Sequence, residues 1–139
     1  MGSKFDFHIH STASDGSDDI ETILKKINKA KISAFSITDH DTIDGALKME
    51  ELMSDDNDDI KYIKGIEFSC ISPFGKCHIL GYNYDQNNED FKKALEYGSY
   101  LRFQKLKARL NFLKEEFNIE LSDSEYNWLI SQKARENRI

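Results

Sequence analysis

Lys4-Phe5-Asp6-Phe7-His8-Ile9-His10, followed at once by Ser11-Thr12-Ala13-Ser14-Asp15-Gly16, reads as a strand that runs into a polar loop. Side chains alternate across a strand. Asp6, His8 and His10 therefore share one face, and Phe5, Phe7 and Ile9 share the other. The polar face lines up groups able to bind or support a cation, and the apolar face offers a backing to anchor them. All four histidines of the chain (His8, His10, His40, His78) stand at or beside strand-like segments. That concentration makes a metal site the first reading.

Outward from that strand, the first half alternates strand and helix. Asp18 can cap a helix, with Glu21 three residues on. Ile20, Ile23, Leu24, Ile27 and Ala30 then follow helical spacing. Ser33–Thr38 reads as a buried strand through Ala34, Phe35 and Ile37, and it ends in Asp39-His40-Asp41. Thr42 or Asp44 starts a second helix, with Ala46, Met49, Leu52 and Met53 inward. Ser54–Asp59 is an acidic loop. Tyr62–Ile71 is a third strand and Lys76–Tyr82 a fourth. This order predicts an α/β fold of parallel βαβ units. In such folds ligands gather at the carboxyl ends of the strands.

The second half is helical. Phe91, Leu95, Leu101, Leu106, Leu110, Leu113 and Phe117 predict one helix from Glu89 to about Phe117, with Gly98 inside it. Asn118–Leu121 is a turn. Ser122-Asp123-Ser124-Glu125 is a capping box that opens a last helix with Tyr126, Trp128, Leu129 and Ile130. A charged stretch, Lys133–Arg138, follows. The expected organisation is a metal-site unit over residues 4–84 and a helical insertion or subdomain over 88–139.

A chain of 139 residues with 39% hydrophobic and 32% charged residues suits a soluble, globular domain with a real core. Its apolar runs are too short to span a bilayer, and no signal sequence opens it. The net charge of −6 offers no general basic field for nucleic acid. A nucleic-acid substrate stays open if metals supply positive charge locally. Cys70 and Cys77 are too few for a disulfide scaffold and lack zinc-ribbon spacing, so the cytoplasm is the expected compartment. A hairpin around Pro73-Phe74 sets them opposite each other. Two reduced strand cysteines are expected, with a cross-strand disulfide as the alternative.

The chemistry lies in the polar residues at strand ends. His8 and His10, two apart on a strand, can reach one ion, and neutral imidazole suits zinc, iron or manganese. Asp15 is either turn chemistry beside Gly16 or a carboxylate ligand. His40 is read as a ligand, with Asp39 a supporting acceptor for it or another ligand; the alternative, a helix cap by Asp41, explains Asp41 but not His40. Glu67 lies within an apolar run, and burying it is costly unless it is paired or metal-bound. With a two-residue turn, Cys70 faces Cys77, Ser69 faces His78 and Glu67 faces Leu80. Glu67 and His78 then share a face at diagonal reach, as bridging ligand and ligand or as a buried ion pair. Asp55–Asp59 lacks the glycine and final glutamate of a calcium loop. Arg102, Lys105, Lys107 and Arg109 read as a solvated helix face. Nothing marks Ser11, Ser14 or Ser17 as a nucleophile, and Trp128 reads as core or contact surface.

Asp6-Phe7-His8-Ile9-His10-Ser11-Thr12, Ser14-Asp15-Gly16, Thr38-Asp39-His40-Asp41-Thr42, Gly65-Ile66-Glu67 and His78-Ile79-Leu80-Gly81-Tyr82 together resemble the PHP (polymerase and histidinol phosphatase) family, in order and spacing. The resemblance implies a distorted (β/α)7 barrel holding two or three divalent metals, commonly zinc, manganese or iron. It assigns ligation to His8, His10, Asp15, His40, Glu67 and His78, and supporting roles to Asp6 and Asp39. The implied activity is phosphoester hydrolysis on histidinol phosphate, nucleotides or nucleic-acid ends. The family pattern adds a later histidine and a late Asp-x-His pair, whereas this chain has no histidine after His78. Such a barrel also needs about 200 residues or more. The expectation is therefore the N-terminal half of a PHP domain, cut short by design or proteolysis. That fragment should be weakly active or inactive alone, and its open sheet edge invites self-association or an exchanged helix, with the Glu89–Phe117 helix as the expected contact. The rival functions are a metal-holding module without catalysis and an amidohydrolase acting on C–N bonds.

Overall fold

Two turns of the strand–helix pattern build one parallel sheet. Its strands are β1 (Phe5–Ile9), β2 (Ala34–Ile37) and β3 (Lys61–Tyr62), in that order across the sheet. The structure is a computed structural model that describes residues 3–54 and 60–131. Most of the acidic loop (55–59) and the charged stretch from Lys133 to Arg138 lie outside the described residues. Helix α1 (Ile20–Ala30) crosses from β1 to β2, and α2 (Asp44–Leu52) crosses from β2 to β3. As the middle strand, β2 is buried along its whole length. The core forms where Ile20, Ile23 and Ile27 of α1 and Met49 of α2 meet Phe35 and Ile37 of β2. Each such side chain contributes roughly 1.5–3 kcal/mol on burial. Ala46 is buried as well, whereas Ala30 and Leu52 are exposed.

Helix α1 is capped by Asp19, not Asp18: the Thr22 N–H donates to Asp19 Oδ1 at 2.8 Å. Asp18 pairs with Lys26 instead, and its carbonyl accepts from the Thr12 N–H. Asp41 does not cap α2. The Asp44 N–H donates to Thr42 Oγ1 at 3.2 Å, and no side chain caps at Ile43.

The expected third strand is two strands. After β3, Ile63 and Lys64 break the run before β4 (Gly65–Ser72). The Ile63 N–H still donates to the Phe35 carbonyl, which extends the ladder with β2. Strand β4 then pairs antiparallel with β5 (Gly75–Tyr82) through the Pro73-Phe74 turn. The register sets Cys70 opposite Cys77, Ser69 opposite His78 and Glu67 opposite Leu80, as a two-residue turn requires. Both cysteines are free thiols. The start of β4 also reaches back to the end of β2. The Glu67 N–H donates to the Asp39 carbonyl at 3.1 Å, and the Asp41 N–H donates to the Glu67 carbonyl at 2.9 Å.

The pairing of β1 with β2 slips between Asp6 and Ile9, a bulge, yet the two faces stay distinct: the Phe5 and Phe7 rings stack with centroids 6.2 Å apart, and His8 and His10 both reach Glu67. Ile9 packs against the core, but Phe5 is 61% exposed and Phe7 is exposed too. The expected apolar backing is thus uncovered there. Phe7 meets Tyr82 edge-on, and the Tyr82 hydroxyl donates to the Phe7 carbonyl at 2.8 Å.

The described residues from Asn87 onward form a second compact unit. Helix α3 (Glu89–Phe117) starts at Asn88, whose Oδ1 accepts from the Asp90 and Phe91 N–H groups. Gly98 leaves it unbroken. It ends at Asn118 in the left-handed conformation. Helix α4 (Asp123–Ser131) opens on the capping box: Ser122 N–H donates to Glu125 Oε2, and Glu125 N–H donates to Ser122 Oγ. Trp128 stands exposed rather than in the core. No helix among the described residues is long and apolar enough to cross a membrane.

Candidate metal centre

Glu67 is the hub. It enters on β4 just where that strand bridges to the end of β2, and it is only 3% exposed. A carboxylate so placed needs strong partners. His10 Nε2 lies 2.8 Å and His8 Nε2 3.0 Å from its Oε2. His40 Nε2 lies 3.6 Å from the same oxygen, and His78 Nδ1 lies 2.7 Å from Oε1. Asp15 closes the set from the loop after β1. Its Oδ1 is 2.7 Å from His10 Nδ1, and its Oδ2 is 3.8 Å from His40 Nε2. The structure therefore brings His8, His10, Asp15, His40, Glu67 and His78 to one place, from β1, its following loop, the end of β2, β4 and β5.

The supporting residues act differently from expectation. Asp39 is 1% exposed, and its recorded side-chain bonds go to serines, not to a histidine. Its carboxylate accepts from Ser11 N–H at 2.7 Å, Ser11 Oγ at 2.7 Å and Ser14 Oγ at 2.5 Å. It thus pins the loop that links His10 to Asp15. Gly45, in the first turn of α2, makes room for that carboxylate. A Cβ there would collide with Asp39 Oδ2 and come within 2.7 Å of Ser11 Oγ. Gly16 is needed at the other end of the loop, where a Cβ would collide with the His10 carbonyl. Asp6 is exposed, and its Oδ1 accepts from the His8 N–H at 3.3 Å. Asp41 takes a left-handed backbone (φ 50°) and clamps β4 twice. Its N–H donates to the Glu67 carbonyl, and its Oδ1 accepts from the Ser69 N–H at 2.8 Å. Ser11, Ser14, Asp41 and Gly45 are supports that the spacing of the histidine motifs does not reveal. The available signal was small polar residues flanking the histidine motifs.

Burial pushes the Glu67 carboxyl up. The hydrogen bond to His8 and the charges of His40, His10 and His8 more than offset this, and its pKa falls below the usual value. Asp15 is likewise raised by burial and lowered on balance by His10 and His40. Burial lowers the His40 imidazole, Glu67 opposes this, and the balance stays below the ordinary histidine range. Ionised carboxylates and a neutral imidazole are the forms that ligate metal.

The donor set fits divalent cations. His10 faces carboxylate oxygens with both ring nitrogens, and three imidazole nitrogens crowd one oxygen of Glu67. A neutral imidazole has only one N–H, so His10 donates to both carboxylates only as an imidazolium, and the His40 nitrogen, 3.6 Å from Glu67, is left beyond a short hydrogen bond. A cation removes the conflict, because every group then presents a lone pair to positive charge. Three overlapping triads have donors within 4.8 Å of one another: His8, His10, Glu67; His10, Asp15, His40; and His40, Glu67, His78. Donors on a tetrahedral zinc sit about 3.3 Å apart, given bonds of about 2.0–2.1 Å. The set of imidazoles and carboxylates could hold metal ions.

The PHP domain family profile matches residues 6–134. The chain is 33% identical over 81 residues to the 5'-3' exoribonuclease Rnm of Salmonella typhimurium, covering 58% of this chain and 28% of that protein. It is 30% identical over 102 residues to a 5'-3' exoribonuclease of Haemophilus influenzae, covering 73% of this chain and 36% of that protein. It is 34% identical over 83 residues to the phosphoribosyl 1,2-cyclic phosphate 1,2-diphosphodiesterase of Eggerthella lenta, covering 58% and 31%. The chain thus spans about a third of the length of the curated relatives it matches. Among solved structures it superposes on one described as a metal-dependent phosphoesterase from Bifidobacterium adolescentis. The TM-score is 0.76 at 22% identity, over 96% of this chain and 44% of that one. A structure of an amidohydrolase from Chromobacterium violaceum matches with a TM-score of 0.74 at 18% identity, over 94% and 44%. At these identities the two structures speak for the fold alone. The fold is an α/β unit corresponding to part of a PHP-type barrel and ending in long helical structure.

Proposed function

The chain belongs to the PHP family, and on that premise we propose that it carries the ligand-rich portion of a metal-dependent phosphoesterase acting on RNA ends, nucleotides or small phosphoesters. The observation that carries this reading is the convergence of four histidines and Asp15 around the buried Glu67. His8, His10, Asp15, His40, Glu67 and His78 would hold two or three divalent cations of the zinc, manganese or iron kind. Such cations polarise phosphoryl oxygens and acidify bound water toward neutral pH. Glu67, which touches four imidazoles, would be the central carboxylate among the residues holding these cations. His8 and His78 are the half-exposed members, so a phosphoester would approach on their side. Asp39, through Ser11 and Ser14, holds His10 and Asp15 in register, and Asp6 steadies the backbone at His8. With a net charge of −6, the protein does not draw an anionic substrate by its overall field. Attraction must be local, with cations in the site supplying positive charge there.

The test is metal retention and hydrolysis by the purified chain. After chelation and reloading with manganese or zinc, elemental analysis should find at least one ion retained per chain, and Glu67→Gln should lose it. Hydrolysis of a generic phosphodiester and of 5'-phosphorylated RNA should be slow and should vanish with chelator or His40→Ala. A chain that retains no ion above the Glu67→Gln level refutes the reading. Ions held without any hydrolysis, in this chain and in one extended to the length of its relatives, would favour the non-catalytic module.

A further inference from the structure

Charge is unevenly spread along this acidic chain. Residues 97–114, all within α3, contain five basic residues (Arg102, Lys105, Lys107, Arg109, Lys114) and no acidic one. With a net charge of −6 for the whole, the remaining residues stand at −11. The same segment exposes aromatic rings. Tyr97 is 62% and Tyr100 55% exposed, and Phe112 is exposed as well. The two tyrosine rings lie nearly parallel with centroids 6.4 Å apart. Helical spacing puts Tyr97, Tyr100, Gln104, Lys107, Asn111 and Lys114 along one stripe, whereas Lys105, Arg102 and Arg109 stand more than a quarter turn away from it. Leu106, on the opposite side, is buried. The Lys107 ammonium rests over the Phe103 ring at 4.6 Å. Lys114 pairs with Glu120 at 3.0 Å, an exposed ion pair that a phosphate can displace at little cost.

From this we infer that the Tyr97–Lys114 face of α3 binds single-stranded RNA. Lysine and arginine neutralise phosphates, and flat exposed rings accept unstacked bases without regard to sequence. The pattern is local, so the acidic overall charge does not oppose it; what matters is charge clustered on one element. A membrane-surface helix fits less well. It needs a continuous aliphatic face, whereas this stripe mixes tyrosine with Gln104 and Asn111.

The experiment measures binding of the full chain to a short fluorescein-labelled oligouridylate by anisotropy, in EDTA, so that failure of the metal site cannot affect the result. Binding should weaken with salt. Lys107→Gln with Lys114→Gln should flatten the log–log salt slope by about 1.4, at about 0.7 per phosphate contact on single strands. Tyr97→Ala with Tyr100→Ala should weaken binding by at least roughly fivefold, the low end for one stacked base. Circular dichroism checks that each variant keeps its helix content. Three results would each overturn the inference: no binding in EDTA, equal binding by the variants, or equal affinity for a duplex of the same length. Preferential binding to phosphatidylserine vesicles over the oligonucleotide would overturn it in favour of a membrane surface.

Discussion

Replacing Asp39 tests whether the buried carboxylate is the fastening of the metal centre. Its three acceptor contacts are all short, to Ser11 N–H, Ser11 Oγ and Ser14 Oγ. A hydrogen bond to a charged group is worth roughly 1.5–3 kcal/mol net, and an orphaned buried donor costs about 1–3 kcal/mol. The two hydroxyls can turn to other acceptors, but the Ser11 N–H cannot. The bonds share two residues, so simple addition overstates the loss. Asp39→Ala should therefore destabilise the metal-free chain by about 3–5 kcal/mol, near the upper tail for single substitutions. Asp39→Asn keeps one oxygen for the Ser11 N–H and should cost about half as much. Urea denaturation in EDTA reads this directly. With a slope of roughly 2 kcal/mol per molar urea, the alanine midpoint should fall by about 2 M. Should the alanine variant be unfolded from the outset, the asparagine variant carries the measurement. The asparagine variant should also retain manganese or zinc roughly ten- to a hundred-fold less tightly, the usual effect of losing a group that orients ligands. A loss under about 1 kcal/mol in the alanine variant, or unchanged metal affinity in the asparagine variant, would refute the reasoning.

Gly45→Ala should destabilise by about 1–2 kcal/mol, because overpacking against Asp39 costs about 1–3 kcal/mol and helix propensity returns up to about 1; a more stable variant in thermal melts would contradict the close approach. Saturating manganese or zinc at about a hundredfold over its dissociation constant should stabilise the chain by about 2.7 kcal/mol, seen as a higher melting temperature that EDTA reverses and Glu67→Gln abolishes. In the metal-free chain, stability should fall as the solution is acidified. His40 is depressed in the fold, so the unfolded chain takes up its proton first as pH drops below about 6.5. Glu67 and Asp15 are depressed too, so their contribution is present above about 4.5 and lost on further acidification. Melts that are flat between neutral pH and pH 4 would contradict these signs. Light scattering should show self-association of the chain, through the edge strand β1 with its exposed Phe5 and Phe7; a monomer at high concentration would exclude it.

The residues that converge were legible because their chemistry is scarce. Four histidines at strand ends, in a chain with no others, leave little freedom in where they meet. The hairpin register was legible for a local reason: a two-residue turn at Pro73-Phe74 fixes every rung behind it. What was hidden depends on partners far apart in sequence. Asp39 holds Ser11 and Ser14 from 28 and 25 residues away, and no spacing rule connects them. Choosing between Asp18 and Asp19 as cap is a one-residue question that adjacent identical residues cannot answer. The exposure of Phe5 and Phe7 follows from β1 pairing only with β2 among the described residues, which alternation alone does not reveal.

The break at Ile63 and Lys64 is the hidden feature with the largest consequence. An unbroken strand from Tyr62 to Ile71 was the simplest reading of a continuous apolar run, and it would have stayed in the parallel ladder throughout. Instead β3 ends after two residues, and β4 starts with new partners on both sides. On one side the backbone of Glu67 bonds to Asp39 and Asp41 at the end of β2. On the other, β5 lies in the hairpin register that brings His78 within 2.7 Å of the Glu67 carboxylate. The carboxylate is thereby held over the ends of β1 and β2, where His8, His10 and His40 are already gathered. Asp41, with its left-handed backbone and its bonds on both sides of Phe68, fixes that crossing. The strand break is thus what turns two separate histidine motifs and a hairpin into one site.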